Sequence, residues 1–429
     1  MVVINLMKLI GKPLLSLLPA LLFIFYTVHV SANNSLKLEV LNEEFTIPHY
    51  SASGEQLLIY VAPGYGFNER GDSMAKALAA LGIEVWMVDL ADNLFLPRGN
   101  KAIRSINDQY LASIIEQAHT QSGKNITLFT SSYGAIPVLQ GARRWQLNHP
   151  KLEKSYLNGA ILFSPELYLG VPALGVDPDF VPVTSASNIP IMIYQSEYRN
   201  NRWQLDNVIH NLEKGGATVY RKILLGITSF FYKLDTAPNT LKALRDIPGE
   251  IPRVIQLLDS SPRPSIATTM PQAKSSKQVG LDTQLKLFQG NKTAFALDLM
   301  NINGNRIVRN NYSGKVTVVN FWATWCPPCV KEIPSLNRLS AKMSGHNFEL
   351  ISINFAEQKT IITEFLKKVN VEFPVLLDEK GQTSAKWNTI TLPSTFVIGP
   401  DGKIIYGVNA AIEWDSPEVI EALQKLAQQ

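Results

Sequence analysis

Val318-Val319-Asn320-Phe321-Trp322-Ala323-Thr324-Trp325-Cys326-Pro327-Pro328-Cys329 is the stretch from which the rest of the chain can be read. Its first half is apolar and β-branched and ends in Phe-Trp, the pattern of a buried strand. Two cysteines follow with two residues between them. Pro327 and Pro328 stand where a helix begins, and proline is tolerated there because the first-turn N–H groups have no intrahelical partner. Val330, Ile333, Leu336 and Leu339 then recur every three residues, a helical pattern. A dithiol therefore sits where a sheet strand feeds a helix N-terminus, whose partial positive charge favours a thiolate.

Cys326 and Cys329 are the only two cysteines among 429 residues. A structural zinc site takes about four ligands, often from two such pairs, and there is no second pair. A haem-attachment motif would place histidine after Cys329, where Val330 stands. An inert disulfide across so short a loop would stabilise little. A dithiol following a strand in an α/β pattern reads instead as a redox-active pair.

At 46% hydrophobic and 18% charged residues the chain is globular, and its length suits two or three domains. A net charge of +4 spread over this length, with no basic run, argues against a nucleic-acid partner. Lys8 and Lys12 precede an apolar run from Leu14 to Tyr26, and Val30-Ser31-Ala32 offers small residues for cleavage. Residues 1–32 thus read as a secretory signal, with an uncleaved membrane anchor as the alternative. No cysteine near residue 32 is present to carry a lipid. Either reading puts the chain in the periplasm or otherwise outside the cytoplasm, where a lone cysteine pair serves exchange rather than stapling.

Residues 33–258 alternate strand and helix signals. Strands are expected at Leu57–Val61, Ile83–Val88, Asn125–Phe129, Tyr156–Phe163, Ile189–Tyr194 and Thr218–Leu224. Helices are expected at Met74–Leu81, Ile103–His119 and Trp203–Leu212. This alternation implies a mostly parallel sheet covered by helices. The strand Ile126–Phe129 ends at Thr130-Ser131-Ser132-Tyr133-Gly134, which resembles the nucleophile elbow of the α/β-hydrolase family with Thr130 in place of the first glycine. Ala62-Pro63-Gly64-Tyr65-Gly66 resembles the family's oxyanion loop. The family's acid would fall near Gln195–Arg199, where only Glu197 serves, and its histidine should follow the last strand. No histidine occurs between His210 and His346. A serine hydroxyl without a base is a poor nucleophile near neutral pH, so Ser132, Gly64 and Glu197 form a degenerate hydrolase site in this reading, used for binding if at all.

Residues 259–281 are rich in Ser, Pro and Lys and read as a flexible linker. Residues 282–429 form the second domain. Gly314-Lys315, the stretch 320–329, Glu332, Pro334, Pro393 and Asp401-Gly402 together resemble the thioredoxin fold, in particular the TlpA/ResA-like extracytoplasmic thiol–disulfide oxidoreductases. That resemblance implies Cys326 as nucleophile, Cys329 as resolving thiol, and a cis peptide before Pro393, with Trp325, Leu392 and Pro393 contacting substrate. Asn320 stands where cytoplasmic thioredoxins carry a buried acid and cannot move a proton; Glu332, three residues after Cys329 on the same helix face, can. Thr391 departs from the glycine common in the family. The resemblance also implies reduction of disulfide-bearing envelope proteins, sometimes in cytochrome c assembly, with electrons from a membrane electron-donor protein and with no cofactor or metal. Two other activities remain open at this level: a bifunctional esterase and oxidoreductase, which needs a base for Ser132, and a thiol peroxidase, against which Trp325 and the paired Cys329 argue.

Overall fold

The computed structural model describes residues 34–150, 155–170, 172–231, 235–264, 266–272 and 284–428. The expected signal segment 1–32 and residues 265 and 273–281 of the expected linker lie outside the described residues.

The first part of the chain builds an eight-stranded sheet: β1 (Asn34–Val40), β2 (Glu43–Tyr50), β3 (Gln56–Val61), β4 (Glu84–Val88), β5 (Asn125–Ser131), β6 (Leu157–Phe163), β7 (Ile191–Ser196) and β8 (Val219–Leu224), in spatial order β1-β2-β4-β3-β5-β6-β7-β8. From β4 to β8 every neighbouring pair is parallel. Helices α1 (Glu69–Ala80), α2 (Leu90–Asn93), α3 (Asn100–Arg104), α4 (Asp108–Ser122), α5 (Ala135–Asn148), α6 (Leu205–Lys214), α7 (Pro238–Asp246) and α8 (Ile251–Ser260) connect or flank the strands. The period-two geometry of a strand sends alternate residues to opposite faces. Leu57, Ile59 and Val61 of β3 accordingly pack with α4, α5 and α6, whereas Leu58 and Tyr60 pack with α1 and α8. Burial on both faces explains why these strands are unbroken apolar runs.

The helix expected over 103–119 is two helices. Asn107 caps α4, its side-chain oxygen accepting from Gln109 N at 3.0 Å, and this cap competes with a continuous helix. The β1–β2 hairpin was not read from the sequence, although Leu41 and Asn42 make its two-residue turn at φ 54° and 69°. Its apolar face is the buried Leu38, Val40, Phe45 and Ile47.

The second part builds a six-stranded sheet from β9 (Lys286–Leu287), β12 (Val316–Trp322), β13 (Phe348–Phe355), β14 (Val375–Asp378), β15 (Ser394–Ile398) and β16 (Ile404–Val408), in the order β14-β13-β12-β15-β16-β9. A small ribbon of β10 (Asp298–Met300) and β11 (Arg306–Val308) lies outside it. The helices are α9 (Pro327–Lys342), α10 (Lys359–Leu366), α11 (Gln382–Lys386) and α12 (Pro417–Ala427). β12 is central, parallel to β13 and antiparallel to β15, and all seven of its residues are buried. Val316, Val318 and Trp322 pack with α9 and α12, while Val319 and Phe321 join Trp387 and Phe396 on the other face. This region has the thioredoxin fold, and the chain as a whole is α/β.

The two parts touch. Asn200 donates its side-chain amide to Ile390 O, Asn409 Nδ2 to Pro172 O at 2.7 Å, and Gln204 Nε2 to Asn388 Oδ1 at 3.3 Å. Leu174, from the loop after β6, packs into the cluster around Phe288. The start of the expected flexible linker is held down as well. Asn188 Nδ2 donates to Ile266 O at 2.7 Å, Arg143 Nη2 to Thr268 O at 2.9 Å, and Thr268 Oγ1 to Gly215 O at 2.6 Å. Composition signalled a tether; these hydrogen bonds instead lay its first residues along the first domain. Among the described residues no helix is long and apolar enough to cross a membrane.

Candidate functional site

β12 ends at Trp322, and the chain turns through Ala323-Thr324-Trp325 into α9, with Cys326 as the N-cap. Cys326 and Cys329 are joined in a disulfide, and Cys329 N donates to Cys326 Sγ at 3.3 Å. A sulfur at an N-cap receives first-turn N–H groups and the positive end of the helix dipole, which favours Cys326 as a thiolate on reduction. The β12–β15 register pairs Phe321 with Ser394, so Pro393 stands level with the end of β12 from which the dithiol loop leaves. The Leu392–Pro393 peptide is cis.

Beneath the dithiol lies Glu332, one turn along α9 from Cys329 and itself buried. Asn320 Nδ2 donates to its Oε1 at 2.8 Å and Trp414 Nε1 to its Oε2 at 3.1 Å. Burial pushes its carboxyl up to about 7, outweighing these donors, which pull the other way. A carboxyl with that value beside a thiol can take or return a proton near neutral pH. Asn320, unable to move a proton, serves as its donor. A second buried acid was not anticipated. Glu357 accepts from Thr324 N at 2.7 Å, from Thr324 Oγ1 at 2.5 Å and from Asn354 Nδ2 at 2.8 Å. Burial raises its carboxyl too. It pins the turn that delivers Cys326. Its only sequence signal was an acid just past the end of β13.

In the first domain Ser132 sits between β5 and α5 with φ 53°, a left-handed conformation that a non-glycine residue holds only under constraint. Thr130, in place of the expected glycine, donates its hydroxyl to Val61 O at 2.8 Å. Gly134 is required by space, since a Cβ there would lie 2.0 Å from Thr130 Oγ1. Ser132 Oγ donates to Glu166 Oε1 at 3.0 Å, and Arg199 Nη2 reaches the same oxygen at 2.5 Å. Arg199 Nη1 also donates to Ser229 Oγ at 3.0 Å.

Glu197, the acid expected from the sequence, is not beside Ser132; its carboxylate accepts from Gly226 N at 2.7 Å and closes the turn after β8. β7 ends at Ser196, and the chain then turns so that Arg199, rather than Glu197, points back to the serine. Glu166, just after β6, takes the place beside Ser132; the signal available was an acid following a strand end. Gly64 is held by backbone, with Gly99 N donating to its carbonyl at 2.6 Å, while its neighbour Tyr65 lines the same cleft as Ser132.

That cleft joins the two sites. Tyr65, Ser132, Tyr133, Glu166, Arg199 and Ser229 form one wall, and Trp325, Phe355, Ile390, Thr391 and Leu392 the other, around about 400 Å³. No histidine is among the described residues that line it. Trp325 and Leu392, expected to contact substrate, thus face the serine site. Among the described residues no cluster of three or more His, Cys, Asp or Glu side chains is placed to hold a metal.

The AhpC/TSA family profile matches residues 290–407. Thiol-disulfide oxidoreductase ResA of Bacillus subtilis (strain 168) is 36% identical over 107 residues, which cover 25% of this chain and 60% of that protein. ResA of Bacillus thuringiensis subsp. konkukian (strain 97-27) is 33% identical over 125 residues, covering 29% of this chain and 71% of that protein. The crystal structure of StoA from Bacillus subtilis is 27% identical, covers 31% of this chain and 96% of StoA, and has a TM-score of 0.26. The profile's match, residues 290–407, contains the dithiol at the head of α9, and by its likeness to ResA the chain belongs to the ResA-like thiol–disulfide oxidoreductases, with an AhpC/TSA-type C-terminal domain.

Proposed function

We propose that this protein works outside the cytoplasm and reduces disulfides of envelope proteins through its Trp-Cys-Pro-Pro-Cys dithiol. The observation that carries the reading is the Cys326–Cys329 disulfide at a helix N-terminus with a buried, proton-competent Glu332 one turn away. Cys326 attacks the partner disulfide; Cys329 loses its proton toward Glu332 and resolves the mixed disulfide. A membrane electron-donor protein returns the dithiol to its reduced form, because cytoplasmic thiol systems do not reach this compartment. The first domain is hydrolase-like in design and binds or positions the partner without hydrolysing it. Its serine is hydrogen-bonded to a carboxylate already paired with Arg199, and no imidazole lines its cleft among the described residues.

Cys329→Ala in the full chain should accumulate mixed disulfides through Cys326, identifiable by mass spectrometry after alkylation. Trapping by Cys326→Ala alone would reverse the roles of the two sulfurs, and trapping by neither would end the reading.

A further inference from the structure

The cleft shared by the two domains is more confined than an open dithiol face. Cys326 is only 4% exposed in the joined molecule, and Asn200 and Asn409 tie the first domain across this side of the second. With so little of Cys326 exposed and those ties in place, a short, unstructured segment or a small molecule reaches that sulfur more readily than the rigid surface of a folded partner. A volume of about 400 Å³ falls within the roughly 300–1,000 Å³ typical of sites for small molecules, and such sites gather at domain interfaces.

The chemistry of the lining narrows the occupant. Among the described lining residues Arg199 is the sole cation and Glu166 the sole anion, and they are bonded to each other at 2.5 Å. Neither is free to neutralise a charged ligand, and an unpaired charge brought into the cleft would lose hydration without recompense. Hydrogen-bonding capacity, in contrast, remains. The Ser132 hydroxyl has given its proton to Glu166 and keeps lone pairs for an N–H. Ser229 Oγ accepts from Arg199 and keeps its own proton for a carbonyl. Arg199 Nε finds no partner among the described residues. Trp325, Phe355, Ile390 and Leu392 supply the apolar floor on the dithiol side.

We propose that this cleft is a composite binding site for a small, uncharged, amide-bearing disulfide, held by Ser132 and Ser229 of the first domain against Trp325 and Leu392 of the second. The inference rests on the thiol-exchange reading above. In the reduced protein the Cys326 thiolate attacks one ligand sulfur; the ligand S–S bond breaks, a mixed disulfide forms, and the departing thiolate takes a proton. The Cys329 thiolate, its proton passed to Glu332, then attacks Cys326 Sγ and expels the second ligand thiolate, which is protonated in turn. Two electrons have moved from the protein dithiol to the ligand, and the Cys326–Cys329 disulfide is restored. The ligand can be a free molecule or a short uncharged segment of an unfolded chain, since both present the same amides beside the sulfur.

The test uses the full chain, reduced with dithiothreitol and freed of it, in a single turnover followed by alkylation and mass spectrometry. The oxidants are the disulfide of N-acetylcysteine methylamide, glutathione disulfide and native insulin. The neutral diamide should oxidise the protein at least about 10-fold faster than either of the others, a factor of 10 being worth about 1.4 kcal/mol of recognition. Ser229→Trp, which fills the cleft from the first domain, should slow the diamide about 10-fold, and Ser229→Ala about threefold. A capped cysteine pentapeptide disulfide that outpaces the diamide assigns the site to a chain segment; the reverse order assigns it to a free small molecule. Equal rates for the three oxidants, a faster reaction with glutathione disulfide, or undiminished rates in both Ser229 variants would overturn the site while leaving thiol exchange intact. Failure of every oxidant to close the disulfide in the unaltered protein would instead overturn the exchange reading, and the site with it.

Discussion

Glu332 has two consequences that one substitution separates. Its carboxyl is held at about 7 against an ordinary 4.5, so the folded state binds its proton more tightly than the unfolded chain does. The stability it contributes is therefore complete below about 4.5 and is lost as the pH rises to about 7. At 1.36 kcal/mol per unit the loss is on the order of 3 kcal/mol. In urea unfolding of the oxidised chain, the parent should weaken by at least that order between pH 4.5 and 7.5, and Glu332→Gln should weaken by about 3 kcal/mol less, Glu357 keeping its own share. The variant should also lose the pH dependence of disulfide exchange near neutrality. A variant that follows the parent in both measurements would make Glu332 a structural acid only. Residue types at fixed local spacing made the place of Glu332 readable in advance, because it follows Cys329 on one helix face. Trp414 was not readable; it reaches the carboxylate across 82 residues of chain.

At the scale of the element, the turn from β5 into α5 fixes Ser132. Ser132 retains a positive φ that costs about 1–3 kcal/mol in a non-glycine residue, and Gly134 remains where no side chain fits. Yet the carboxylate on the serine also accepts from Arg199 on the same oxygen, and no histidine lines the cleft among the described residues. Loss of the base from a serine triad costs about 10⁴-fold or more in turnover. Ser132 should therefore stay unlabelled by a fluorophosphonate under conditions that label an active serine hydrolase completely, and the chain should not turn over short-chain esters. Stoichiometric labelling of Ser132 would revive the bifunctional alternative.

For the whole molecule, the consequence lies in how the domains meet. Among the described residues, Asn200, Gln204, Asn388, Asn409 and Asp177 make polar contacts across the domains, and Asn200 and Asn409 each donate to a carbonyl of the opposite domain. Removing both should loosen the dithiol face. Asn200→Ala combined with Asn409→Ala should speed alkylation of Cys326 in the reduced chain about 10-fold, an opening cost lower by about 1.4 kcal/mol. Small-angle scattering should show a larger radius of gyration. An unchanged alkylation rate would mean that these contacts do not control access to the dithiol.

The parts whose signals are local could be read from the residues alone. The dithiol, its strand and helix, Glu332, the proline opposite and the elbow around Ser132 each occupy a few consecutive residues or one helical turn. Buried parallel strands announce themselves as apolar runs because both faces must be covered. Which carboxylate meets Ser132 was settled by the folded chain. Glu166 and Glu197 both follow strand ends, and the path of the chain after β6 and β7 chose between them. Only the tertiary structure laid residues 266–268 against the first domain, where Asn188, Arg143 and Gly215 supply their partners. It alone brought Asn200 to Ile390, 190 residues apart, and so set Ser132 in one cleft with Trp325 and Leu392, the neighbours of Cys326 and Pro393 in the chain. Contacts of that range depend on how two finished surfaces fit, and neither periodicity nor composition carries a record of that fit.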